Sequence, residues 1–544
     1  MRRRKFLKLT SAASVLTLLP SEVFSIVKTI GGSGCPDLSG KKLVLIQFAG
    51  ANDGLNTLIP VNQYDLYANL RPNLKINNSG ANGFINLDTT LRIEDQVGLH
   101  PSMAGFKSLY DNGLMRVLQG VGYPNSNKSH FKSTDLWLSG GDGTNANFAF
   151  ENGWAGRFME NYYADLLHGN FPLGIQMGSS DNSLGFHGVV EHGMSININN
   201  QDVSGFYSVV NGLGGIPPAN IPDSEYGQLV QFLIDLDSST NVYSQTISSA
   251  FNGGNNTVTY PDNELANQLK TVARFISGGL ETKIYLVRLG GFDTHEWQVQ
   301  PNASHTGDHA TLLHKVSEAV NAFITDINNQ GKGNDVLAMT FSEFGRKAAE
   351  NANYGTDHGE VAPMFVFGKS VTPGVSGTNL NLSEATEDNN YQIQTIQHDY
   401  RSVFSTVLQD WLGAKSTILD STLYDHTLDS GFADKKVPNL INSANLVPPS
   451  CYNNTPPVDP PKPIDAVVVY PNPCSDFVSV SAPAENPVYS MAVISTSGSR
   501  VNFCTNPAVS PKMTIDLSHL AVGFYYLKIE TKNGQFTKKI IVRR

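Results

Sequence analysis

The sequence predicts an α/β domain on a mostly parallel sheet with helices on both faces, followed by a small C-terminal all-β sandwich. Three observations carry that expectation. Continuous apolar runs lead directly into Gly-containing turns, as strands buried on both faces do. Segments of helical period lie between those runs, the alternation of an α/β sheet. Beyond a proline-rich stretch, short strand-like runs separated by turn residues follow one another, the pattern of a β-sandwich.

The chain has 544 residues, 40% hydrophobic and 16% charged. That length implies more than one folding unit, and the composition is globular rather than disordered. A net charge of −10 gives no electrostatic case for nucleic acid or an anionic membrane as partner.

Residues 1–34 read as a leader. Arg2-Arg3-Arg4-Lys5 precede a modest apolar run from Leu9 to Leu19, the grammar of an export signal. The run is too short and too rich in Ser and Thr to span a bilayer. Arg3-Arg4-Lys5-Phe6-Leu7-Lys8 follows the twin-arginine pattern R-R-x-F-L-K, read by a receptor as an address; an ordinary secretory signal with extra arginines shares this grammar. No other segment is long and apolar enough for a transmembrane helix.

The central domain spans residues 41–440. Its first strand, Lys42 to Phe48, ends at Ala49-Gly50-Ala51-Asn52-Asp53-Gly54. Ligands bind at the carboxyl ends of strands in open α/β sheets, which makes Asp53 a candidate. Ile284 to Leu289 leads likewise into Gly290-Gly291-Phe292-Asp293-Thr294-His295, and Val336 to Phe341 into Ser342-Glu343-Phe344-Gly345-Arg346. Helical segments are expected at Leu265 to Ile276 and Leu312 to Ile327. A fourth group, Gly355-Thr356-Asp357-His358-Gly359, precedes a strand candidate at Ala362 to Gly368, its glycines expected to let the chain turn tightly. Mixed carboxylate and imidazole donors suit Zn, Mn or Fe, and carboxylates alone suit Mg or Ca. The candidate metal ligands are therefore Asp53, Asp293, His295, Glu343, Asp357 and His358. Singly, each has a plain alternative: a cap, a turn, a surface histidine, or a Glu343–Arg346 salt bridge.

Residues 441–465 read as a Pro-rich linker, stiff and extended. The tail, residues 466–544, carries strand-like runs at Ala466 to Val469, Phe477 to Val480, Met491 to Ile494, Phe524 to Ile529 and Phe536 to Val542. Tyr470-Pro471-Asn472-Pro473, Gly523-Phe524-Tyr525-Tyr526-Leu527-Lys528 and the terminal Lys538-Lys539-Ile540-Ile541-Val542-Arg543-Arg544 resemble the sorting domain of the type nine secretion system. The resemblance implies passage across the outer membrane to the surface or beyond, with that machinery as partner.

The central motifs, together with Tyr67 to Pro72, Leu99-His100-Pro101 and Ser129-His130-Phe131, resemble an exported bacterial family known as "domain of unknown function fifteen-oh-one". That family looks like a branch of the alkaline phosphatase and sulfatase superfamily. The resemblance implies an alkaline phosphatase-like fold, one or two divalent ions (Zn, Mn, Mg or Ca), and hydrolysis of phosphate or sulfate esters. Asp53 matches the superfamily's first ligand, and Asp293 with His295 its later Asp and His. For the rest, either Asp357-His358 is the Asp-His pair with His398 as last histidine, or Glu343 replaces the paired Asp and His358 is last. The second placement is preferred because Glu343 directly follows a strand; it puts Phe344 where a second metal site would have its histidine. Ser129 stands in the nucleophile's place, where a helix N-terminus and a cation would favour it, and equally reads as a plain N-cap. His130 and His100 are candidate acid–base or ligand groups, His130 being the catalytic candidate beside Ser129. No C/S-x-P-x-R sequence marks a formylglycine-type sulfatase. A surface binding protein that kept the fold without the chemistry is the alternative, and a structural surface-layer component a third.

Cys35, Cys451, Cys474 and Cys504 form no C-x-x-C pair. In an oxidising compartment, Cys35 with Cys451 and Cys474 with Cys504 are candidate bridges; four free thiols are the alternative.

Overall fold

The computed structural model describes residues 35–143, 152–167, 169–178, 184–188, 195–198, 243, 245–423, 435–452, 468–470, 474–482, 486–495, 500–506, 510–532 and 534–543. The leader and most of the linker lie outside them. Described residues up to 452 form one compact unit and those from 468 a second.

The first unit is built on a nine-stranded sheet. Its strands are β1 (Lys42–Phe48), β2 (Met115–Gly122), β3 (Gly174–Met177), β4 (Ser195–Ile198), β5 (Ile284–Leu289), β6 (Val336–Phe341), β7 (Ala362–Phe367), β8 (Gly374–Ser376) and β9 (His398–Asp399). Their order is β8-β2-β7-β6-β1-β5-β3-β4, with β9 also beside β2. β1 is central and pairs in parallel on both sides, Leu43 opposite Ile284 of β5 and Leu337 of β6. Every residue of β1, β6 and β7 is buried. Successive side chains point to opposite faces, so both faces of the sheet are covered, which is why these strands read as continuous apolar runs.

β7 runs antiparallel to both β2 and β6, whereas β8 and β9 lie parallel to β2. This one reversal positions the site. The start of β7 falls at the same edge of the sheet as the ends of β1, β2, β5 and β6. Residues before β7 thereby meet residues after the parallel strands.

The covering helices include α1 (Ala104–Asp111), α2 (His130–Ser139), α3 (Trp154–Tyr162), α4 (Glu264–Ser277), α5 (Asp308–Asn329) and α6 (Tyr400–Thr406). In α4, Asn263 caps the N-terminus by accepting from Ala266 N–H at 3.0 Å, satisfying one of the four free donors there. Leu265, Leu269, Val272 and Ile276 then fall on its buried stripe. The 22-residue α5 buries Leu312, Val316, Val320, Phe323 and Ile327 at the same spacing.

Cys35 and Cys451 form a disulfide across 416 residues of sequence. A cross-link of such span stabilises by about 2–4 kcal/mol, chiefly by restricting the unfolded chain. Cys474 and Cys504 are not disulfide-bonded, so the second candidate bridge is not made. Cys504 lies on a strand opposite Met491, while Cys474 bridges to Val542.

The second unit is all β. A three-stranded sheet holds β10 (Val468–Tyr470), β11 (Phe477–Ser481) and β14 (Lys512–Asp516). A four-stranded sheet runs in the order β13 (Arg500–Thr505), β12 (Val488–Ser495), β15 (Gly523–Thr531) and β16 (Gly534–Val542). Both are antiparallel. Val478, Val480, Met491, Val493, Ile515, Leu527, Ile529 and Ile540 form their shared core. β13 and β14 were not among the expected strands. β14 does alternate, Met513 and Ile515 turning inward between exposed Lys512, Thr514 and Asp516, but the run is only five residues long; β13 has no fully buried residue, which weakens its signal.

Candidate metal centre

Four side chains from three loops meet at the edge of the sheet where β7 begins. Asp293 and His295 follow β5, His358 precedes β7, and His130 opens α2 after β2. His358 Nε2 lies 2.8 Å from His295 Nε2, 3.1 Å from His130 Nε2 and 3.4 Å from Asp293 Oδ1. Asp293 Oδ1 is 3.1 Å from His295 Nε2 and 3.3 Å from His130 Nε2. Among the described residues, His130, Asp293 and His358 form a group of the size that holds a metal ion. The side chains are 25–48% exposed, so the cluster opens to solvent.

The outer nitrogens fix the ring tautomers. His358 Nδ1 lies 2.9 Å from the Lys128 carbonyl, which only accepts, so Nδ1 carries the hydrogen. His130 Nδ1 donates to Glu343 Oε1 at 2.8 Å, an oxygen that also accepts from Gly50 N–H. His295 Nδ1 faces Asp357 Oδ1 at 3.3 Å. In each neutral ring Nε2 is then a bare lone pair aimed at the cluster. Glu343 and Asp357 thus stand behind imidazoles. The second oxygen of Glu343, Oε2, is buried without a partner.

The hydrogen bond that His130 donates to Glu343 raises the His130 pKa against the effect of burial. Burial lowers that of His358, helped by Arg346. Asp293 would be raised by burial, but the Arg346 hydrogen bond and charge hold it below the usual carboxylate range.

Arg346 fastens the loops together. It donates to the carbonyls of Ala51, Thr356, Gly50 and Phe292 and to Asp293 Oδ1 at 2.7 Å. The Glu343–Arg346 pair considered from sequence is not formed; Arg346 pairs with Asp293 instead. Gly50 has φ +117°, and a Cβ there would sit 2.4 Å from the Asp293 backbone nitrogen. Gly355 and Gly359 have no such φ. Their role is close approach rather than a tight turn: a Cβ on Gly355 would lie 2.2 Å from the His295 carbonyl oxygen.

Asp53 is not in the cluster. Fully buried, it receives Arg71 Nη1 at 2.7 and 3.0 Å and Gln298 Nε2 at 2.6 Å, and caps the turn at Leu55. Nearby, His309 Nε2 meets Asn52 Oδ1 at 3.0 Å. Burial lowers the pKa of His309 to about 4 and of His100 to about 3. Both rings are neutral when folded and protonate once unfolded, near pH 6.5. Their contribution is intact above that pH and drains away as pH falls towards 4. The denaturant midpoint is expected to drop over this window, with a slope of up to about 1.4 kcal/mol per pH unit per ring. His309→Gln, which keeps a donor for Asn52, flattens the curve; an unchanged slope would refute the assignment.

Ser129 is exposed and occupies the N-cap position of α2, but its side chain makes no capping hydrogen bond. The sequence leaves His130 open between acid–base group and ligand; the geometry puts it among the clustered nitrogens. His398, from the other placement, lies on β9. The Lys128 carbonyl was missed, since no side-chain pattern signals a backbone oxygen. Arg346 was noted only as a salt-bridge partner, and its five contacts are visible only in three dimensions.

Residues 266–414 match the family described as protein of unknown function (DUF1501), a span that includes the Asp293, Glu343 and His358 motifs. Residues 468–543 match the secretion system C-terminal sorting domain, which marks the chain for export to the cell surface or the extracellular space. Among the described residues, no helix is long and apolar enough to cross a membrane. No curated protein matches the chain. Similar solved structures include a protein of the alkaline phosphatase superfamily from Vibrio parahaemolyticus (9% identity, TM-score 0.29, 62% of each chain covered). Others are the lipoteichoic acid synthase LtaP from Listeria monocytogenes (13%, 0.25, 64% of this chain and 72% of that one) and the PsFucS1 sulfatase from Pseudoalteromonas sp. (9%, 0.30, 90% and 83%). The chain spans 62% of the length of the first of these.

Proposed function

We propose that this exported protein is a metal-dependent hydrolase of phosphate or sulfate esters. In this reading His130, His295, His358 and Asp293 hold one divalent ion. The observation that carries it is the convergence of bare imidazole nitrogens and a carboxylate oxygen at 2.8–3.4 Å. Such a set is repulsive unless a positive charge lies among its members. A proton on one ring relieves one contact, whereas a cation relieves them all. Imidazole backed by carboxylate or carbonyl is also how proteins orient metal ligands. Three nitrogens and one oxygen favour Zn or a similar first-row ion over Mg or Ca. A bound ion would supply Lewis acidity toward an ester oxygen and a more acidic water.

The chain's own groups have separate roles. Glu343, Asp357 and the Lys128 carbonyl hold the rings in the tautomer that exposes Nε2. Arg346 orients Asp293 and keeps it deprotonated. Asp53 serves the fold and not the ion. Ser129 presents a hydroxyl at the N-terminus of α2, where the helix dipole favours negative charge, and is the candidate nucleophile. The type nine secretion machinery is the partner of the C-terminal domain.

Among the described residues no base is bonded to Ser129, which favours a second reading, a surface protein that binds an anion without turning it over. Metal analysis of the purified chain and a panel of aryl phosphates and sulfates, with Zn, Mn, Mg or Ca added, separates the two. About one tightly held ion per chain with turnover supports the hydrolase. A held ion with saturable anion binding and no turnover supports the second reading. No ion and no turnover rejects the metal centre.

A further inference from the structure

Backbone strain is concentrated around the metal cluster. Apart from asparagines, which tolerate a left-handed conformation, the non-glycine residues with positive φ are Ala51, Lys128, Trp297, Tyr354 and Tyr391 among the described residues. The carbonyls of Ala51 and Lys128 serve Arg346 and His358. Trp297 and Tyr354, at φ 54° and 55°, flank His295 and Asp357 in sequence. A bulky side chain in this conformation is strained and persists where neighbouring contacts impose it. Trp297 N–H donates to the Asn353 carbonyl, and Val299 N–H to that of Tyr354. Asn351 Nδ2 binds the His295 carbonyl and Asp357 Oδ1.

The strain serves no burial. Trp297 is 52% exposed, and with Ile93, Phe131 and Leu446 makes up the exposed large apolar side chains of the first unit, among the described residues. Its ring lies nearly parallel to that of Tyr354, 11° apart with centroids at 6.2 Å. The exposed Glu296 and Asn353 adjoin this pair. Flat apolar faces bordered by hydrogen-bonding side chains suit a ring with a C–H face and a hydroxyl edge. Phe131, 87% exposed, follows His130 directly.

We infer that Trp297 and Tyr354 form a stacking platform for a pyranose ring whose phosphate or sulfate ester reaches the His-Asp cluster. This rests on the metal-centre reading for the place of the ester. The platform sets which carrier of the anion is accepted.

Trp297 supplies its own probe. Trp137, Trp154 and Trp411 are at most 2% exposed, so the red edge of the tryptophan emission reports Trp297. The metal-loaded full chain is titrated with glucose 6-phosphate and 6-sulfate, with ethyl phosphate and sulfate, and with phenyl phosphate and sulfate. The glucose esters are expected to shift the emission saturably and to bind roughly three- to tenfold more tightly than the ethyl esters. Tyr354→Ala removes that preference and Tyr354→Phe keeps it, both with metal content unchanged. No shift with glucose esters, equal affinity for ethyl esters, tighter binding of phenyl esters, or an intact preference in Tyr354→Ala overturns the platform. Ring-selective binding without turnover rejects the hydrolase and leaves the platform standing; turnover without ring preference does the reverse.

Discussion

His358→Ala empties the metal centre: bound ion falls from about one per chain to a trace, and ester turnover falls at least about a hundredfold. The size of the effect follows from position. His358 Nε2 lies between the Nε2 atoms of the other two imidazoles, 2.8 Å from that of His295 and 3.1 Å from that of His130, and its ring is locked by the Lys128 carbonyl. Its loss removes one nitrogen and opens the gap between the two that remain. Glu343→Gln is a graded counterpart. It keeps the shape and weakens the acceptor shared by His130 and Gly50 N–H, so metal affinity drops by about 10–100-fold while added Zn restores activity. Metal analysis by mass spectrometry, with turnover measured across a Zn titration, checks both. Full metal content in His358→Ala would move the ion elsewhere.

Much of this site was legible before the fold was known, and the reason is topological. Strands buried on both faces advertise themselves as apolar runs, so Asp293, His295 and Glu343 were placed at strand ends directly. His358 could be set at the same edge once the strand after it was read, although nothing in the sequence says that this strand runs backwards. What one dimension does not carry is which atoms at that edge face each other. Asp53 has the same local signature as Asp293, a carboxylate just past an apolar run. Arg71, 18 positions further on, decides its fate, and no spacing rule links the two. The sequence leaves His130 open between acid–base group and ligand, because the clustered residues it meets are 163 and 228 positions away. Trp297 and Tyr354 escaped notice altogether, since an exposed aromatic gains meaning only from backbone conformation and from what lies beside it.

Asp53 yields the second large effect, on stability rather than chemistry. Arg71→Met is expected to destabilise the protein by about 3–5 kcal/mol, the cost of leaving one member of a buried ion pair unmatched. Both side chains are inaccessible to solvent, so no water replaces the guanidinium. Burial by itself would raise the Asp53 pKa; Arg71 and His309, with the hydrogen bonds from Arg71 and Gln298, outweigh it and hold it below the usual range. A depressed carboxylate stabilises the fold above its unfolded pKa, and that contribution is lost as pH falls through the folded one. In Arg71→Met the sign reverses, because an unpaired buried carboxyl prefers its proton. The deficit relative to the parent is therefore greatest near neutrality and narrows in acid. Asp53→Asn combined with Arg71→Met recovers most of the loss at neutral pH, since no charge is left stranded. Denaturant midpoints of the parent and the two variants at two pH values measure this, and the metal content of both variants is expected to match the parent. If Arg71→Met instead sheds its metal and regains stability when Zn is added, Asp53 is a ligand and the pairing with Arg71 is not its working state.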